Sequence, residues 1–95
     1  MPKDTLFLAC YDVTEDRERE KVAEVLEGVG LRVQRSVFEC RLTRSARERV
    51  LEGLRALGLQ SGFVYLYPLD ARGKRLTVGE SPPEPFADGK FSLVV

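Results

Sequence analysis

The chain has 95 residues, 43% hydrophobic and 32% charged, with acidic and basic side chains equal in number. That length makes one domain, the balance is globular, and no stretch approaches the roughly 20 apolar residues of a membrane span. With no histidine, and with Cys10 and Cys40 outside any Cys-x-x-Cys motif, the composition excludes histidine triads, histidine-bound zinc and a disulfide framework.

Any catalysis therefore falls to carboxylate, Tyr, Lys, Arg or a hard metal ion. The two cysteines read as buried apolar fillers. A domain this small has a thin core, which pairing with a second copy would thicken. The N-terminus lacks the long apolar region and small-residue cleavage site of a signal peptide, so a cytoplasmic protein is expected.

Leu6–Tyr11 is a continuous apolar run and predicts a strand in the centre of a sheet, buried on both faces. It ends at Asp12. Thr14 is a good helix N-cap, and Glu15, Asp16 and Glu18 place negative charge where the helix dipole favours it. Val22, Val25, Leu26 and Val29 form one apolar helical stripe, and Gly28 and Gly30 are expected to stop the helix.

Residues 31–42 are rich in strand formers, but their alternation breaks at Arg35-Ser36. Two short strands joined by a tight turn fit this pattern, with a single kinked strand as the alternative. Thr43 caps a second helix, whose buried stripe is Ala46, Val50, Leu54 and Leu57. Gly53 sits inside it, and Gly58 ends it. Phe63–Tyr67 predicts the next strand, closed by Pro68.

After Leu69 the composition shifts. Arg72-Gly73-Lys74 reads as a turn, Leu76–Val78 as a short edge strand, the proline-containing segment around residues 81–85 as a linker, and Phe91–Val95 as a final strand. The expected organisation is a domain over residues 1–78, then a linker and strand over 79–95 that docks on a dimer partner by strand addition. The order β-α-β-β-α-β predicts an α+β, ferredoxin-like sandwich: an antiparallel sheet with two helices on one face, assembled as a twofold homodimer.

Charge is unevenly spread. Residues 1–31 hold 4 basic and 8 acidic groups, whereas residues 32–55 hold 7 basic and 3 acidic, every base there being arginine. Arginine's planar fork suits phosphate, although the same pattern also describes a solvated helix face laced with ion pairs. Arg17, Arg19 and Lys21 have the same two readings: ion pairs with neighbouring glutamates, or a phosphate track towards Asp12.

Asp12, between strand and helix, ordinarily starts a turn or caps the helix. Its functional reading needs symmetry: two copies facing each other across a dimer axis could share one Mg²⁺, which is content with one or two carboxylates plus waters and phosphate oxygens. Tyr11 and Phe38 are strand aromatics of the kind usually found in cores, and either could stack on a base if exposed.

Tyr11-Asp12-Val13 after an apolar strand, the Arg/Lys/Glu-rich helix, and the run Gly30-Leu31-Arg32-Val33-Gln34-Arg35-Ser36-Val37-Phe38-Glu39-Cys40-Arg41-Leu42 together resemble the second CRISPR-associated protein family. The resemblance covers about residues 5–69. It implies a ferredoxin-like homodimer, metal-dependent endonuclease activity on RNA or duplex DNA, Asp12 as catalytic and Mg²⁺-binding residue, and partnership with the CRISPR integrase subunit in spacer acquisition. The alternative is a non-catalytic dimeric scaffold that binds duplex DNA and bridges integrase subunits. Arg17, Arg19, Arg32, Arg35 and Phe38 are the candidate nucleic-acid contacts.

Overall fold

The computed structural model describes residues 3–69 and 76–80. In chain order the elements are β1 (Asp4–Val13), α1 (Asp16–Glu27), β2 (Gly30–Gln34), β3 (Val37–Thr43), α2 (Arg44–Ala56) and β4 (Gly62–Pro68). They make one four-stranded sheet in the order β2-β3-β1-β4, with every neighbouring pair antiparallel. This is the ferredoxin-like arrangement, and it puts β1 in the middle.

Period-two alternation divides β1 between two environments. Phe7, Ala9, Tyr11 and Val13 are buried and pack with Val22, Ala23 and Leu26 of α1 and Val50 and Leu54 of α2. Leu6, Leu8 and Cys10 point the other way and are half-buried. The expectation of burial on both faces is thus corrected within one chain: both helices join the core of a single face. Cys40 lies in that core, and burial pushes its thiol up to about 12, which makes it inert filler. Cys10, on the opposite face, is half-buried.

Local chemistry sets the boundaries. The β2–β3 turn falls at Arg35-Ser36, where the alternation breaks. Thr43 caps α2 by accepting from the Ala46 amide at 3.2 Å, and α2 is followed by Gly58 at φ 61°. At α1 the cap is Glu15, not Thr14: β1 runs on to Val13 and the helix begins only at Asp16, which leaves Thr14 one residue short of the cap position. Gly28 caps the C-terminal end of α1, whereas Gly30 already belongs to β2.

Leu76–Val78 do not form the expected edge strand. Among the described residues they have no strand pairing, and Leu76 and Val78 are fully exposed. The expected Arg72-Gly73-Lys74 turn and the Phe91–Val95 docking strand lie outside the described residues. Among the described residues, no helix is long and apolar enough to cross a membrane.

Gly53 offers a direct test of α1–α2 packing. A Cβ there would meet Val25 Cγ1 at 3.9 Å, an ordinary contact. Gly53→Ala should therefore stabilise the fold by about 0.5–1 kcal/mol through helix propensity, read as a higher urea midpoint. A lower midpoint would mean that the two helices tolerate no added methyl.

Candidate nucleic-acid and metal site

The candidate residues gather at one end of the sheet, where β1 finishes, α1 begins, the β2–β3 hairpin turns and β4 starts. Strand alternation then separates them. Tyr11 faces the helices, whereas Asp12, the next residue, faces away from them. Asp12 is exposed and sits opposite Phe63 in the β1–β4 register. No side chain among the described residues hydrogen-bonds it.

An aromatic ladder runs beside Asp12. Phe63, Tyr65 and Tyr67 are cross-strand partners of Asp12, Cys10 and Leu8, and therefore share their face. Each is roughly half exposed, and successive rings lie 4.7 and 5.7 Å apart. The alternation with half-buried Val64 and Leu66 carries this signal in the sequence, although sequence reasoning takes the run only as a strand.

The arginines lie on the helix side. A cleft of about 670 Å³ is lined by Tyr11, Arg19, Arg32, Arg35 and Ser36, with Asp16, Glu20 and Ala23 along its α1 wall. The Tyr11 hydroxyl donates to the Arg35 carbonyl at 3.3 Å, and the Tyr11 amide donates to the Ser36 carbonyl at 3.1 Å. These contacts tie the hairpin turn to β1. The sequence-predicted residues thus share an end of the molecule, while Asp12 and the arginine cleft open on opposite faces.

The arginines are not equivalent. Arg19 donates to the Val13 and Thr14 carbonyls at 3.1 and 2.9 Å and pairs with Asp16. Its donors are largely committed to holding the β1–α1 turn. Arg17 is exposed and makes no ion pair or hydrogen bond among the described residues, and neither does the Arg35 side chain. Arg32 lies 3.6 Å from Glu27 and stacks over the Phe38 ring, 5.1 Å from its centroid. Phe38 itself is 0% exposed. As a core ring on the helix side of β3 it offers no face to a base in this chain, and what reaches the surface above it is Arg32.

Sequence reasoning missed a polar junction beside Asp12. Glu18 accepts from the Ser61 amide at 3.0 Å, the Ser61 hydroxyl at 2.6 Å and the Gln60 amide at 2.9 Å. The Ser61 hydroxyl hydrogen bond, then the Gln60 amide, hold the Glu18 carboxyl below the usual glutamate range. Glu15 meanwhile caps α1 by accepting from the Glu18 amide at 2.8 Å. One acid of the first turn serves its own helix, and the other serves the α2–β4 loop.

A family model described as "CRISPR associated protein Cas2" matches residues 5–75. The chain belongs to the Cas2 family. Similar members include "CRISPR-associated endoribonuclease Cas2 3" of Synechocystis sp., 42% identical over 65 residues, spanning 67% of this chain and 71% of that protein. "CRISPR-associated endonuclease Cas2 2" of Thermus thermophilus is 39% identical over 82 residues, spanning 81% of this chain and 87% of its own.

Among solved structures, hypothetical protein TT1823 from Thermus thermophilus superposes with a TM-score of 0.72 at 34% identity, covering 84% of this chain and 99% of that one. Streptococcus pyogenes Cas2 superposes with a TM-score of 0.63 at 25% identity, over 76% and 99% of the two chains. The Cas2 family accounts for the ferredoxin-like order of elements, and the chain is CRISPR-associated by that membership.

Because the folded-state pKa of Glu18 is lowered, its hydrogen bonds add stability above the ordinary glutamate value. That stability is lost as pH falls through the lowered folded value. Between about pH 5 and pH 3, wild type should therefore lose more stability than Glu18→Gln in chemical denaturation. Parallel pH profiles for the two proteins would contradict this.

Proposed function

We propose that this chain is a CRISPR adaptation protein with metal-dependent endonuclease activity on single-stranded RNA or duplex DNA, working as a homodimer alongside the CRISPR integrase subunit. The observation that carries the reading is Asp12, an exposed carboxylate without a side-chain partner among the described residues, on the helix-free face of the central strand beside an aromatic ladder. The relatives' names, endoribonuclease and endonuclease, support the reaction class.

The helix-free face supports the dimer. Leu6, Leu8 and Cys10 lie there half-buried, next to the half-exposed Phe63, Tyr65 and Tyr67. A twofold axis through the Asp12 end of this face would bring two carboxylates to one seam. The C-terminal residues expected from the sequence to form a strand lie outside the described residues; docked on the partner, such a strand would complete the pairing.

The donor set fits Mg²⁺ better in such a pair than in one chain. Carboxylate oxygens are the hard donors that Mg²⁺ takes, and one or two carboxylates suffice. Among the described residues no three His, Cys, Asp or Glu side chains assemble a larger site. Asp12 of each copy would hold the ion, which when bound supplies a water of lowered pKa and a Lewis acid for the phosphodiester. Arg17 and Arg35, with uncommitted guanidinium donors, bind phosphates, and Arg32 adds a cation anchored on Phe38. Arg19 keeps the strand end in place behind them.

The same isolation of Asp12 favours a second reading, a dimeric scaffold that grips duplex DNA and bridges integrase subunits without cutting. Asp12→Asn separates the two. Being exposed, the substitution should change stability by no more than about 0.5 kcal/mol, while RNA cleavage disappears. Full cleavage by pure Asp12→Asn protein contradicts the nuclease reading. Under either reading, Arg17→Ala should reduce the salt slope of duplex binding by about 0.9, because one phosphate fewer is neutralised.

A further inference from the structure

We propose that Ser61 and Glu18 are the positioning residues for Asp12: their hydrogen bonds fix the end of β1 and thereby the place of the carboxylate. The inference rests on the nuclease reading above. It adds two residues, Ser61 in the α2–β4 loop and Glu18 on the helix that follows β1, on which the reaction depends.

An exposed aspartate with no side-chain partner is located only by its backbone. That backbone lies near the end of a strand, where ladders fray. Here Asp12 pairs with Phe63 and Val13 with Gly62, and the pairing would stop there without further support. Ser61 extends it. The Ser61 carbonyl accepts from the Thr14 amide at 3.1 Å and from the Thr14 hydroxyl at 3.3 Å. The Ser61 hydroxyl accepts from the Glu15 amide at 3.0 Å while donating to Glu18.

With the three bonds to Glu18, six hydrogen bonds join residues 14–18 to residues 60–61. The one Ser61 hydroxyl both accepts from Glu15 and donates to Glu18, so it grips the start of α1 twice. Arg19 holds the Val13 and Thr14 carbonyls from α1. The strand end is thus fixed by contacts from both α1 and the α2–β4 loop.

Gly62 makes the junction close. A Cβ there would collide with the Asp12 carbonyl oxygen and stand 2.7 Å from Val13 Cα. The first residue of β4, next to Ser61, therefore lies directly against the backbone of Asp12 and Val13. A shift in the loop moves the carboxylate, and supporting residues of this kind govern sites that demand placement within about 0.5 Å.

The test uses the full chain, Mn²⁺ as the metal and a short single-stranded RNA. Removing an outer-shell support typically lowers metal affinity or activity about 10–100-fold. Ser61→Ala should do so for Mn²⁺ affinity, read by water-proton relaxation without RNA, and for the single-turnover cleavage rate at saturating RNA. RNA affinity should stay within about twofold, since the phosphate-binding arginines are untouched. Ser61→Thr, which keeps the hydroxyl, should restore both quantities, and Glu18→Gln should repeat the Ser61→Ala pattern if that variant folds poorly.

Wild-type Mn²⁺ affinity and rate in Ser61→Ala would overturn the inference. So would equal losses in Ser61→Thr, or a loss of RNA affinity as large as the loss of rate. Cleavage by Asp12→Asn, by contrast, overturns the nuclease reading and takes this inference with it.

Discussion

The alternation of β1, pinned at the centre of the sheet, decides what the core takes and what is left for a ligand. A strand with neighbours on both edges cannot rotate, so each side chain is committed to one face. Phe7, Ala9, Tyr11 and Val13 are taken by the core beneath α1 and α2. Asp12 is thereby forced onto the opposite face, among Cys10, Phe63 and Tyr65. Slipping the register by one residue would bury the carboxylate and expose Tyr11, at the cost of an unpaired buried charge. The core's demand for its four β1 residues is what makes Asp12 available.

The same alternation explains the division of labour at that end of the sheet. Arginines reached from the helix side meet Tyr11 and the hairpin turn, not Asp12. A nucleic-acid chain that engages both must cross the end of the sheet or contact two copies of the protein. Under the proposed function, binding and chemistry are separated within one protomer, and a second copy would supply more than stability. The polar junction at Ser61 and Glu18 belongs to this picture. A typical hydrogen bond contributes only about 0.5–1.5 kcal/mol net, so each of these contacts stabilises modestly, and under the proposal it also places the strand end.

Much of the fold is legible in the residues. Helical stripes at Val22–Leu26 and Val50–Leu54, the Thr43 cap, and the break at Arg35-Ser36 each carry a local signal, and each appears where expected. Local signals fail where the next element intrudes. Thr14 is a better cap residue than Glu15, but β1 extends to Val13, and Thr14 is drawn into pairing with Ser61. Apolar runs also overstate burial: Leu6, Leu8 and Cys10 suggest a strand covered on both sides, whereas the helices cover one.

The candidate site is legible as residue types, not as partnerships. Asp12 and the arginines stand out by position and by resemblance to the Cas2 family. The split between Arg17, uncommitted, and Arg19, bound to two carbonyls, depends on where the β1–α1 turn folds. The Glu18–Ser61 contact joins positions 43 residues apart, which no periodicity reports. Phe38 stands out in the sequence as a strand aromatic, but its burial beneath Arg32 emerges only when β3 packs under α1.

The paired-carboxylate mechanism is tested most sharply by a crystal structure of the full chain grown with Mn²⁺, with the ion located by its anomalous signal. A single peak on a twofold axis, coordinated by one Asp12 oxygen from each of two protomers, is expected. Two Asp12 carboxyls pointing apart across the dimer, with the metal bound elsewhere or absent, would refute the mechanism.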